Sequence, residues 1–512
     1  MNPESSNTKS KRLIKNSLYL YIRMFLILIL SLYTSRVILD ALGVEDFGIY
    51  NVVGGIVLMF NIICGSFSES TSRFFAYEIG KGNEDEVVSL FFNSRTVQLL
   101  LCCLVIVFAE IAGLYLIDNK LIIPEDRLFA AKVILHLSII TFAIKLMCIP
   151  YRALIIAKEK MGFYAVAGLA EAFMRLIIAL LLQQCDRDRL IYYGWLLMLE
   201  PLVLIILFSI YSKYKISKEF TFWKLEWQKA QIKRMASFAG WDSLGALERI
   251  MLDQGINLLI NTFFNPAINA ARGVAFQVRH AVAQFSGNFQ IATAPQITKS
   301  YAEHDYQYMF SVINKACKYS FYVLLIPIVP LIAFSEFWLS IWLKEVPVHA
   351  IAFVNLSLIF ILVDSTYEIL NQGAKATGRI KWFRIITCMV SLLNFPISYI
   401  ALYNGAEPES TMYICIGVGI AVLISQLVIL HKMIDLHVME FLKEVTARCY
   451  TIGILIITFV FFERKFNLQL SPIEIFLMSI VHIIATMALI WIVGLDKSER
   501  SKITSCIKKK IL

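Results

Sequence analysis

Apolar stretches long enough to cross a bilayer recur along the whole chain, and they leave few architectures open. A hydrocarbon core of about 30 Å takes about 20 apolar residues of helix. Windows of about 19 residues mark about fourteen spans, the first from Ser17 to about Leu39. Lipid offers backbone groups no partner, so a spanning segment must be a helix or part of a closed barrel. The runs are continuous rather than alternating, which excludes the barrel. Composition agrees: 58% of residues are hydrophobic and 17% charged, against about 45–50% and about 25% in soluble domains. The fold class is an all-α polytopic membrane protein. Met1 to Ser10 is polar and the first apolar run is too long for a signal h-region, so no cleaved signal is expected.

Three spans, centred near residues 60, 250 and 280, are rich in Gly, Ser, Asn and Gln. Such helices are expected to line a wet cavity rather than touch lipid. Twelve spans would result if two of these were re-entrant. Basic residues set the orientation: with the N-terminus inside, roughly 32 Lys and Arg fall in cytoplasmic segments and roughly 7 outside. Both termini are then cytoplasmic. The +10 net charge follows from this bias, and no nucleic-acid partner is expected. The ten cysteines lie mostly within apolar runs without metal-type spacing and read as packing residues.

A faint repeat of roughly 220 residues divides the chain. Ala157-Lys-Glu-Lys-Met-Gly-Phe-Tyr164 echoes Ala376-Thr-Gly-Arg-Ile-Lys-Trp-Phe383, each a basic turn between the fourth and fifth span of its half. The expected layout is a tail over 1–16, a six-helix lobe over 17–212 and a cytoplasmic amphipathic linker over 213–234. A second six-helix lobe covers 235–432, two additional helices cover 433–495, and a basic tail covers 496–512. The linker holds Phe222, Trp223, Leu225 and Trp227 among lysines and suits the inner leaflet surface. The two lobes would enclose a central cavity.

About nine basic and nine acidic residues lie inside spans. Facing lipid, each would cost about 3 kcal/mol, a sum far above a typical stability of 5–15 kcal/mol. Most must line water, pair, or sit near an interface. Arg272 and Arg279 share one helix face with no acid between them, which makes them the leading anion site, since guanidinium matches phosphate oxygens. Arg23, Arg36 and Arg95 would complete a cationic cavity. Arg175, one turn after Glu171, and Arg249, one turn before Asp253 and two after Asp242, are further substrate-binding candidates with an acid on their own helix. Lys132 and Lys145 are expected to snorkel. Asp364 and Glu368 share a face without a base, and with Asp242 and Asp253 they are the candidates for coupling to a proton or sodium gradient.

Arg36, Leu42-Gly43 and Phe47-Gly48-Ile49-Tyr50, together with Ala157-Lys-Glu-Lys160 after Tyr151-Arg152, resemble the elbow and inner-turn signatures of bacterial O-antigen and polysaccharide flippases. These belong to the multidrug/oligosaccharidyl-lipid/polysaccharide exporter superfamily. The resemblance implies a V-shaped cavity, alternating access, and a polyprenyl-pyrophosphate-linked oligosaccharide carried from the inner to the outer leaflet of a bacterial cytoplasmic membrane. By motif it assigns only Arg36 and its elbow. The expected partners are the lipid-linked glycan, membrane lipids and glycan polymerisation proteins, with the chain itself a monomer and no cofactor. A cation-coupled drug exporter of the same superfamily is the main alternative; it would show aromatics and acids in excess of arginine. An integral-membrane glycosyltransferase or polymerase would need an acidic motif in a sizeable loop, and the loops here are short. No G-x-x-x-x-G-K-[ST] loop is present, so the chain hydrolyses no ATP by that device.

Overall fold

The computed structural model describes residues 3–58, 61–119, 123–185, 188–216, 225–264, 266–343, 346–464, 470–497, 499–501 and 504. Among the described residues, eighteen α-helices run in chain order. They are α1 (Pro3–Leu58), α2 (Asn61–Lys81), α3 (Glu84–Asn119), α4 (Leu128–Met147), α5 (Ile149–Ala157), α6 (Met161–Gln183), α7 (Arg189–Tyr211), α8 (Lys229–Phe263) and α9 (Pro266–Ala302). There follow α10 (Tyr306–Ala333), α11 (Ser335–Trp342), α12 (Ala350–Thr377), α13 (Lys381–Leu392), α14 (Asn394–Tyr403), α15 (Ser410–Ile434), α16 (Val438–Phe441), α17 (Arg448–Arg464) and α18 (Pro472–Leu489). No strand occurs among the described residues.

Eleven stretches are long and apolar enough to cross a membrane among the described residues. Three further long helices, α2, α8 and α9, are too polar to qualify, and they coincide with the regions that read as weak spans. In α9, Asn269, Gln277, Gln284, Asn288 and Gln290 dilute the apolar character. Two spans are broken where α4 meets α5 and α13 meets α14, just before Pro150 and Pro396. Proline has no N–H to continue the ladder and crowds the preceding turn.

Helices form two compact units. The first holds Met1–Ala246 and Ala294–Asp305, the second Leu247–Thr293 and Tyr306–Leu512, so α8 and α9 each contribute to both.

In the first unit, α1 continues through the region expected as an elbow and bends at one residue, Gly43. Its φ of 77° and ψ of 170° suit glycine alone. Helical structure resumes directly after it, so the elbow is a kink rather than a loop. Val37, Ile38 and Leu42 before the kink and Val53 after it enter one core with Ile134, Leu135, Leu182 and Leu190. At the kink, Arg127 donates to Asp46, and its Nη1 reaches Asp188 at 2.8 Å. Asp188 also caps α7, accepting from Leu190 N and Ile191 N. One guanidinium thus fastens the kink, the start of α4 and the start of α7.

Of the linker 213–234, residues 217–224 lie outside the described ones, and Leu225–Gln228 is not helical. That short piece docks on α3: Thr96 donates to the Glu226 carbonyl at 2.7 Å, and Gln228 N donates to Asn93 Oδ1 at 2.7 Å. The backbone finds partners on α3, which removes the need for a helix through Trp227. The end of α9 packs on α2, where a Cβ added to Gly80 would lie 2.7 Å from the Lys299 carbonyl oxygen. Lys299 Nζ pairs at 2.6 Å with Glu159, which sits in the left-handed region at φ 57° in the inner turn before α6.

In the second unit α10 is the most enclosed span, packing against α12, α17 and α18. Tyr322 donates to the Gly494 carbonyl at 3.2 Å, and Cys317 donates to the Thr366 carbonyl at 3.4 Å. Gly378, at φ 76°, ends α12, and a reciprocal Ser471–Glu474 capping box starts α18. Beyond α18, Glu499 accepts from Lys318 at 2.9 Å and from Tyr319 at 3.1 Å, tying the chain back to α10.

Candidate functional site

The second unit gathers the largest set of candidate residues, on α8, α9 and α12. Helical spacing stacks Arg249, Asp253 and Asn257 one turn apart on α8, and places Arg272, Phe276 and Arg279 along one face of α9. Asp364 and Glu368 project from successive turns of α12. Arg249 Nη2 pairs with Glu368 at 2.9 Å. Arg279 Nη2 pairs with Asp253 at 3.0 Å. Arg272 donates to Asn257 Oδ1, to the Asp253 carbonyl at 3.1 Å, and stands 3.9 Å from the Asp253 carboxylate. Its side chain is 9% exposed, and its Nε meets no hydrogen-bond acceptor. Asp364 lies within electrostatic reach of Arg249 and Arg279. Glu248, beside Arg249, accepts from Cys388 Sγ at 3.3 Å. The Arg279 guanidinium stacks 4.8 Å from the Phe276 ring centroid and 5.6 Å from that of Phe360.

Two pairings here join residues of different helices. The face of Arg272 and Arg279 carries no acid of its own helix, as the spacing indicates, and Asp253 of α8 serves both. A buried and a half-buried guanidinium without a counter-charge would be costly, and the acid arrives from a neighbouring helix that single-helix spacing cannot reveal. Arg249 has Asp253 and Asp242 on its own helix, and the acid it pairs with is Glu368 of α12. Asp242 is buried in the part of α8 that belongs to the first unit.

The first unit distributes its arginines rather than pooling them. Arg23 on α1 lies over the Tyr164 ring at 4.6 Å, in a space left by Gly168, where an added Cβ would overlap the guanidinium. Arg36 is exposed and Arg95 is buried within α3. Arg175 forms the expected one-turn pair with Glu171 at 2.9 Å and also reaches Glu200 at 3.0 Å. Arg152 and Lys145 join the same network, at 3.1 Å from Glu171 and 3.4 Å from Glu200. Lys145 therefore reaches a buried carboxylate instead of snorkelling. Glu200 is 1% exposed, a burial that only compensation by several bases makes tolerable. Sequence reasoning missed Asn257, Arg152 and Arg127. Arg127 carried a faint signal, a base directly after Glu125 and Asp126. No group of three His, Cys, Asp or Glu could hold a metal among the described residues.

Comparison with known structures places this arrangement in a known fold. A crystal structure of MATE in complex with MaD3S superposes with a TM-score of 0.71 at 13% identity, over 84% of this chain and 97% of that one. The chain has the MATE transporter fold. An outward-facing multidrug resistance MATE family transporter of the MOP superfamily matches with a TM-score of 0.71 at 12% identity, over 85% and 96% of the two chains. A MOP superfamily transporter from Pyrococcus furiosus, described as having a binding pocket of reverse polarity, matches at 0.70 and 12% over the same shares. In sequence, an uncharacterized membrane protein EpsK of Bacillus subtilis (strain 168) is 20% identical over 318 residues, 61% of this chain and 62% of its own length. The chain thus spans under two thirds of that relative. No family model matches. The structural neighbours are transporters, and the apolar helices make this MATE-fold chain a multi-pass membrane protein.

Proposed function

We propose that the chain is a cation-coupled exporter that moves an amphiphilic organic cation across the membrane, with its coupling site in the second unit. The observation that carries this reading is the composition of that site. Glu248, Asp253, Asp364 and Glu368 bring four carboxyl groups to three arginines, with Phe276 and Phe360 beside them. Acids and aromatic faces are what an organic cation needs. The fold it shares with a multidrug resistance transporter supports the same reading. Glu368 and Asp364 act by exchange: a proton or sodium ion on either carboxyl weakens its hold on Arg249, which shifts α8 relative to α12 within the unit.

The test is transport by purified full-length protein in liposomes, with a fluorescent cationic dye inside and an imposed proton or sodium gradient. Gradient-driven dye movement should be present and should fall at least tenfold in Asp364→Asn or Glu368→Gln. Dye movement indifferent to either gradient, or unchanged in both variants, overturns the reading.

One observation favours a second reading, the flipping of a polyprenyl-pyrophosphate-linked oligosaccharide. Arg272 and Arg279 share a single carboxylate, and the Arg272 Nε meets no acceptor, so this corner has capacity for a phosphate. Under this reading Arg272→Ala with Arg279→Ala abolishes surface glycan at normal protein level, while dye transport is absent from the start.

A further inference from the structure

Two ion pairs stand on the outside of the first unit, along the seam of α3 and α4. Asp118 and Lys132 pair at 2.8 Å, with side chains 48% and 40% exposed. Two turns deeper along α3, Glu110 pairs with His136 at 2.9 Å, with side chains 29% and 46% exposed. Among the described residues none buries them. Exposed apolar side chains flank them along the same two helices: Ile111 on α3, and Phe129 and Ile140 on α4. The outer pair lies near the ends of the two spans and can reach interfacial water. Glu110 lies about 12 Å further in than Asp118 along α3, and His136 about 6 Å further in than Lys132 along α4, at the helix rise of 1.5 Å per residue, inside the apolar band. Bare hydrocarbon is a poor environment for such a pair, and polar side chains at this depth commonly join one helix surface to another.

The placement of the charges says what fits. In both pairs the acid is on α3 and the base on α4, and each pair is level in depth because its members are in contact. Two copies in one membrane with the same orientation are related by a twofold axis along the membrane normal, which preserves depth. With that axis along the seam, α3 of one copy faces α4 of the other. Each acid then meets a base at its own level, twice per interface. A self-complementary surface of this kind is what an isologous dimer requires.

We propose that the α3–α4 seam is a self-association face, and that two copies of this chain dimerise through Glu110–His136 and Asp118–Lys132. This replaces the monomer expected from sequence, and it does not depend on the cargo.

The test is subunit counting by single-molecule photobleaching, on full-length protein carrying one fluorophore, diluted into phosphatidylethanolamine–phosphatidylglycerol liposomes. Two-step bleaching should dominate for the native chain. The two-step fraction should fall at least fivefold in Glu110→Leu/His136→Leu, where apolar replacements on an exposed face leave the chain folded. It should return in Glu110→His/His136→Glu, which restores self-complementarity with the signs exchanged. Thermal melts of all three proteins check that each is folded. Single-step bleaching of the native chain means lipid alone covers the face and overturns the proposal. So does a two-copy state that survives the leucine pair, or one that the exchange fails to restore.

Discussion

At the scale of single residues, charge accounting governs the molecule. Asp253 answers two guanidiniums, so removing the acid strands more charge than removing either base. Asp253→Asn should therefore cost about 3–5 kcal/mol, and Arg279→Ala less. Combining Asp253→Asn with Arg279→Gln should recover part of the loss. Thermal unfolding in lipid nanodiscs measures all three. Arg127 is the corresponding residue of the first unit. Arg127→Ala releases Asp46 and Asp188 together and should lower stability by about 1–3 kcal/mol. Arg127→Lys should recover little, because a point charge cannot make the two-sided fork. Glu171 with Arg175 was legible in sequence because both lie on one helix, one turn apart. The Arg279–Asp253 pair was not, because its members belong to different helices.

At the scale of elements, close approach and terminal charge decide how helices are fastened. α2 meets the end of α9 where Gly80 has no side chain, and the atom opposite is backbone, which cannot swing aside. Gly80→Ala should cost about 1–3 kcal/mol and loosen this end of the first unit, read as faster hydrogen exchange around Lys299. Just beyond α18, Asp496 sits below the usual carboxylate range. Burial raises it, and the Arg448 hydrogen bond with the nearby Lys318 charge outweighs that. A depressed carboxyl stabilises the folded state fully above the ordinary Asp value of about 3.9 and loses that contribution as pH falls through the folded value. Hydrogen-exchange protection around Asp496, taken relative to the intrinsic rate at each pH, should be flat from pH 8 to pH 5 and should fall only below about pH 4. The helices themselves were legible from apolar runs. The kink was legible only as a place, around Gly43, because a continuing helix and a loop look alike in a stretch with two glycines and two acids.

At the scale of the whole molecule, a MATE-fold bundle carries its densest second-unit charge on the polar helices α8 and α9 and on α12. The expected outcome of the transport experiment is a gradient-dependent flux that vanishes with Asp364 or Glu368 and leaves the protein folded. A lipid-linked glycan cargo would instead show in surface glycan display and its loss with Arg272 and Arg279. The resemblance carried by Leu42-Gly43 and Phe47-Gly48-Ile49-Tyr50 led to the right fold. Motifs this short do not select a cargo.

Length of apolar run is a local property, and lipid forces any such run into helix, so the amino-acid order alone determined a polytopic helical membrane protein and marked its three polar helices. Which acid answers which base is a matter of distance between helices far apart in the chain. Folding brought Asp253 to Arg272 and Arg279, Glu368 to Arg249, and Glu200 to Arg175, because a charge taken out of water must find its counter-charge wherever packing places one.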